Sequence, residues 1–161
     1  MQGRHPRESE AVLTELMMPN HANIMGNVFG GHLLALVDRV AAVAAIRHSH
    51  KPCVTVSVDK VDFREPIHVG ELITAFARVN FAGRTSMEVG VKVIAENVLT
   101  GEKRHTNSCY LTYVALNEQG EPSPVPSIVP ETLDEKRRYE RAAQRRASRV
   151  MDRRYDQGRG E

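Results

Sequence analysis

The sequence is short of several things that would direct its reading elsewhere. It has only two cysteines, Cys53 and Cys109, far apart and in no CxxC pair, which fits a reducing compartment better than a disulfide framework. Its first ten residues, MQGRHPRESE, contain no apolar core, so neither a signal peptide nor a membrane span is expected and a cytoplasmic protein is. It has almost no charge excess: the formal net charge is +2, and the whole chain does not read as a binder of nucleic acid or membrane. His48, His50 and His68 stand at a spacing that fits no usual ligand set and read as surface histidines. No internal repeat is visible, and 161 residues give room for one domain and a tail.

What is present is concentrated between Ala22 and Arg47. An asparagine and a glycine-rich turn (Asn23, Gly26, Asn27, Gly30, Gly31) lead into a helix carrying Leu33, Leu34, Leu36, Val37, Val40, Val43 and Ile46. Such a helix is buried nearly all round. Asp38 sits in its middle, and the adjacent Arg39 points to another face, so it is not the obvious partner. A charge on a mostly buried helix is costly unless paired, hydrated or used. With a helix start near Gly30, Asp38 lies about 12 Å from the free N–H groups of the first turn, which could receive a developing oxyanion. A second helix antiparallel across a two-fold axis would bring one chain's Asp38 near the other chain's Asn23.

The rest of the chain changes period. Ala11–Met18 reads as a first strand ended by Pro19, and residues 1–10 read as a disordered N-terminus. Alternation over Val54, Val56 and Val58 slips in parity before Val61 and Phe63, which predicts a β-bulge near Asp59 and Lys60. Glu71–Phe81, the stretch from Met87 to Glu96, and Arg104–Leu116 complete an order βαββββ, mostly antiparallel because the later connections are short. The expected fold is α+β, a curled antiparallel sheet around one long helix. This domain spans residues 11–120; residues 121–131 read as a proline-rich linker. Residues 132–161 read as a basic helix and tail, opened by a capping box at Thr132 and Glu135.

Three segments in this order, ANIMGNVFGGHLLALVD, SVDKVDFREPIHVGE and AGRTSMEVGVKVIAENVLTGEKRHTNSCYLTYVAL, resemble the cytosolic acyl-CoA thioester hydrolase branch of the hotdog-fold thioesterases. The resemblance implies hydrolysis of acyl-CoA to free acid and CoA, without metal or cofactor. It also implies a homo-oligomer with the dimer as minimal unit and three dimers in a hexamer. Its pattern places the catalytic asparagine on Asn23 and the catalytic aspartate on Asp38, from opposite subunits. Gly31 at the helix start can supply an oxyanion N–H, and Gly30, Gly83, Arg84, Thr85 and Ser86 fall where such enzymes approach CoA. Asp38 would act as general base or as nucleophile.

By local sequence alone Asp38 also reads as a carboxylate paired with a distant arginine, Asn23 as a turn residue, and Gly30 and Gly31 as packing residues. The competing functions are a hotdog protein that binds acyl-CoA or a nucleotide without turnover, and a hotdog dehydratase, for which no histidine stands in a convincing position. Nucleic-acid binding through the arginine-rich tail ranks last.

Overall fold

The computed structural model describes residues 1–59 and 61–157, with side chains to residue 152. Strand β1 (Ala11–Leu16) precedes the long helix α1 (Gly30–Ser49). Strands β2 (Cys53–Val58), β3 (Glu71–Ala82), β4 (Ser86–Asn97) and β5 (Glu102–Ala115) follow, and helix α2 (Leu133–Gln157) ends the described chain. The strands form one antiparallel sheet in the order β1-β3-β4-β5-β2. The sheet curls round α1 as a half-barrel, as expected.

Alternation along the strands decides what each face meets. Ile73, Ala75, Ala77 and Val79 of β3, Met87, Val89, Val91 and Val93 of β4, and Cys109, Leu111 and Tyr113 of β5 point inward and are buried. They pack on Leu33, Leu36, Val37, Val40, Ala41, Ala44 and Ala45 of α1. Each buried aliphatic side chain of the larger kind contributes about 1.5–3 kcal/mol. The alanines let helix and sheet approach closely. No helix among the described residues is long and apolar enough to cross a membrane.

The outer face of the sheet carries α2. The capping box forms: the Glu135 backbone N–H donates to Thr132 Oγ1 at 3.1 Å and the Thr132 N–H to Glu135 Oε2 at 3.0 Å. Tyr139 packs on Phe81 of β3, ring centroids 5.1 Å apart. The arginines of α2 reach down to the sheet, and Glu88 of β4, with 1% of its side chain exposed, is held by Arg145 at 2.6 Å and Arg149 at 3.1 Å.

Four expectations need correction. The register shift in β2 falls between Thr55 and Ser57, upstream of the expected bulge. β2 ends at Val58, so Val61 and Phe63 belong to a loop, and Lys60 lies outside the described residues. Residues 1–10 are not loose: Pro6–Ser9 form a 3-10 turn, and buried Ser9 accepts the Val79 N–H at 2.9 Å. Residues 121–131 are not a free linker either, because Ser123, Val125 and Ile128 are buried. Lys51 Nζ donates to Ser123 Oγ (2.7 Å) and to the Pro124 carbonyl (2.8 Å). His48 is buried, not on the surface. Its Nε2 donates to the Pro126 carbonyl at 2.8 Å, and burial holds its imidazole below the ordinary value. A backbone carbonyl can only accept, so this bond fixes the proton on Nε2. Apolar side chains at Val125 and Ile128 and these donors at the end of α1 turn a proline-rich stretch into a strap.

Candidate active site

The turn before α1 is built by Asn23. Its Oδ1 accepts the N–H groups of Met25 (2.9 Å) and Asn27 (3.2 Å), and its backbone N–H donates to the Asn27 carbonyl at 2.7 Å. Gly26 closes the turn with φ +79°, a conformation that favours glycine. With Oδ1 committed to the turn, the group that Asn23 offers to another molecule is its NH2.

Helix α1 begins at Gly30 behind Phe29, which supplies no side-chain cap. A serine or aspartate there would satisfy the first N–H groups; without one, the N–H groups of Gly30 and Gly31 have no acceptor among the described residues. The two glycines differ. A Cβ on Gly30 would meet the Phe63 ring at 3.4 Å, whereas one on Gly31 would meet nothing within 4 Å. Gly30 therefore serves close packing, while the space beside the Gly31 Cα is open.

Asp38 projects from the middle of α1 toward β2 and β5. Its Oδ1 accepts the hydroxyls of Thr55 (2.8 Å) and Tyr113 (2.6 Å), and the Tyr113 hydroxyl also lies 2.8 Å from the Asp38 carbonyl. Burial, then the neighbouring carboxylate, pushes the Tyr113 phenol well above its usual range, so it stays a donor. No cation among the described residues pairs with Asp38. An arginine partner, the alternative open in the sequence, is not what the fold supplies. Thr55 and Tyr113 escaped sequence reading. Thr55 lay in an alternating strand where a threonine is unremarkable, and Tyr113 stands 75 positions away.

Gly83, Arg84 and Thr85 make the turn between β3 and β4, and Ser86 opens β4. The Gly83 N–H donates to the Ser86 carbonyl (2.8 Å), the Ala115 N–H to the Thr85 carbonyl (3.1 Å) and the Val125 N–H to the Arg84 carbonyl (3.0 Å). A Cβ on Gly83 would fall 2.9 Å from the Arg146 guanidinium, so glycine there lets α2 set a cation against the turn. Arg84 and Arg146 are both exposed.

The described residues hold one candidate metal cluster. Donor atoms of Glu15, His21 and His32 lie within 4.8 Å of one another, with the two rings stacked at 3.9 Å. The hydrogen bonds there are already closed: His32 Nε2 lies 2.9 Å from Glu15 Oε2, and His21 Nδ1 accepts the Met18 N–H at 3.1 Å. That bond places the His21 proton on Nε2, the nitrogen a metal would need, and the cluster is not a good fit for a metal.

Comparison with known proteins adds to this geometry. The Thioesterase superfamily matches residues 25–102. The acyl-CoA thioester hydrolase YkhA of Bacillus subtilis is 39% identical over 154 residues, 96% of this chain and 90% of that protein. The apo form of a hexameric acyl-CoA thioesterase superposes with a TM-score of 0.90 at 41% identity, over 94% of this chain and 97% of that one. An acyl-CoA hydrolase from Staphylococcus aureus, solved with butyryl coenzyme A, coenzyme A and coenzyme A disulfide, superposes with a TM-score of 0.86 at 33% identity, over 98% of this chain and 99% of that one. The S. aureus protein has also been solved with an aspartate, an asparagine and a threonine each replaced by alanine.

Proposed function

The chain belongs to the acyl-CoA thioester hydrolases of the hotdog-fold thioesterase superfamily, and from that membership we propose how this hydrolase works: Asp38 is the general base, Asn23 a positioning donor and the Gly31 N–H an oxyanion donor. The substrate is an acyl-CoA, cleaved by water to a carboxylic acid and CoA. The observation that carries the assignment is the company Asp38 keeps. Two neutral hydroxyls fix Oδ1, no cation among the described residues cancels its charge, and Oδ2 is left to take a proton from water. The three residues altered in the S. aureus hydrolase are spaced along that chain as Asn23, Asp38 and Thr55 are spaced here, which supports the same reading and adds Thr55 to it.

Water attacks the thioester carbonyl carbon and gives its proton to Asp38. The carbonyl oxygen gains negative charge against the Gly31 N–H, an interaction worth about 10²–10³ in rate. The C–S bond then breaks, and the CoA thiolate takes up a proton. The NH2 of Asn23 donates to the water or to the thioester oxygen. Gly30, Gly83, Arg84, Thr85 and Ser86 line the approach of CoA, and Arg146 stands beside Gly83 as a further cation for its phosphates.

One chain does not hold all of this at reacting distance. Gly31 and Asp38 lie about 10 Å apart along one helix, so Asp38 of one subunit works with Asn23 and Gly31 of another. β2 is an edge strand on which Val54, Val56 and Val58 are 44–47% exposed, and Ile24, Met25 and Phe29 of the turn are exposed as well. An open strand edge with apolar side chains is surface for a second copy. The chain forms a homo-oligomer, the dimer is its minimal catalytic unit, and the hexameric relatives support a trimer of dimers.

The test is thiol release from acetyl-, butyryl-, octanoyl- and palmitoyl-CoA by the wild type and by Asp38→Ala, with the assembly size of both measured. Turnover in an intact Asp38→Ala oligomer comparable to wild type would remove Asp38 from the mechanism, and binding without turnover in the wild type would make the protein an acyl-CoA-binding regulator. Repeated turnover in H₂¹⁸O should leave the Asp38 carboxylate unlabelled; ¹⁸O in Asp38 would mark direct attack and a mixed anhydride.

A further inference from the structure

On the side of the sheet away from Asp38, α2 and the outer faces of β3, β4 and β5 enclose a groove of about 440 Å³. Its walls are cationic: Arg78 of β3, Lys92 of β4, and Arg137, Arg138 and Arg141 of α2 all line it. Few carboxylates answer them. Arg137 and Arg138 share Asp134, and among the described residues Arg78 pairs with Glu10 alone, at 3.5 Å. Lys92 and Arg141 have no acidic partner among the described residues. Burial and then the Arg78 charge hold the Arg138 guanidinium below its ordinary value, as crowding of like charges does. The groove also contains Asn80, 5% exposed, whose amide lies over Gly90 and has no hydrogen-bond partner among the described residues. Phe76 and Val12 border the groove with exposed apolar surface.

We propose that this groove is a second ligand site, distinct from the thioester site, and that it takes a small phosphorylated anion of the pyrophosphate class. Phosphate oxygens accept from the forked arginines and from the Asn80 amide together, and an organic body attached to the phosphate meets Phe76 and Val12. The sheet lies between this groove and Asp38, so occupancy does not require an intact thioester site.

The probe is inorganic pyrophosphate, titrated calorimetrically at low ionic strength into the full-length protein. Saturable binding at one site per chain is expected, weakened at least tenfold by Lys92→Glu combined with Arg141→Glu, two exposed positions where reversal breaks no ion pair. Asp38→Ala should bind as the wild type does, so failure of the catalytic reading would leave this result standing. Arg84→Glu and Lys103→Glu should also leave binding unchanged. Four results would overturn the proposal: no saturable binding by the wild type; equal weakening by Lys103→Glu, a sign of diffuse charge only; loss with Arg84→Glu, which would move the ligand to the CoA approach; or a changed assembly size in the double variant, which would make the groove a contact between copies.

Discussion

Asp38 and Glu88 are carboxylates on opposite sides of one sheet, and the fold treats them in opposite ways. Asp38 belongs to the inner layer, where almost everything is apolar, and among the described residues its side chain meets the hydroxyls of Thr55 and Tyr113 alone. Glu88 faces outward beneath α2 and is held by two arginines, Arg145 bidentate and Arg149 at 3.1 Å. Arg145 is itself stacked over the Tyr110 ring, 3.6 Å from its centroid. Hydroxyls orient a carboxylate and leave its charge in place, while guanidinium groups orient it and cancel it. The first environment suits a base and the second suits a brace. Burial alone would have ranked the two wrongly, since Glu88 is the more deeply buried.

Four perturbations would break or sharpen that contrast. The largest effect is expected from Asp38→Asn, which keeps shape and donors and removes the basic oxygen: kcat should fall by about 10²–10⁴ with the fold and assembly retained. Glu88→Gln should do the reverse. It leaves two arginines facing a neutral amide and should lower stability by about 3 kcal/mol in denaturant titration while kcat is kept; a loss of kcat rivaling that of Asp38→Asn would erase the distinction. Tyr113→Phe removes one of the two hydroxyls on Asp38. A hydrogen bond to a charged group is worth about 1.5–3 kcal/mol, so kcat should drop roughly tenfold or more with KM little changed, and an unchanged kcat would show that Thr55 alone suffices.

The smallest effect tests the seam where the strap crosses the end of α1. The imidazole of His48 is held below its ordinary value chiefly by burial, so the folded protein binds fewer protons there than the unfolded chain does. Its contribution to stability is present above the unfolded value of about 6.5 and is lost as pH falls below it. The melting temperature should therefore decline modestly between pH 7 and pH 5, and less steeply in His48→Gln. An identical pH slope in that variant would show that His48 is not the group responsible.

Much of this was readable in advance where the signal is local. The apolar stripe of α1, the alternation in β3 and β4, and the Thr132–Glu135 capping box each depend on residues a few positions apart, and each appears in the fold. The isolation of Asp38 from Arg39 was likewise legible from helical spacing. The strap was not, because a proline-rich run looks the same whether it floats or packs, and only the buried Val125 and Ile128 decide the matter. Nor was the bulge, since a slip in parity locates an irregularity only to within a few residues, and here the strand simply ended.

The sequence by itself determined the elements, their order and the presence of a carboxylate on the apolar helix, but not how that helix is covered: it is not buried nearly all round, since Val43 and Ile46 are 41% and 45% exposed. Periodicity and capping act over one or two turns of chain, and they are written in consecutive residues. Tertiary structure alone decided what that carboxylate would meet. Register across the sheet and the curl of its strands bring Thr55 and Tyr113 to Asp38 from 17 and 75 positions away, and the same geometry lays the arginines of α2 over Glu88. Such partners are chosen by distance in space, which no local pattern encodes.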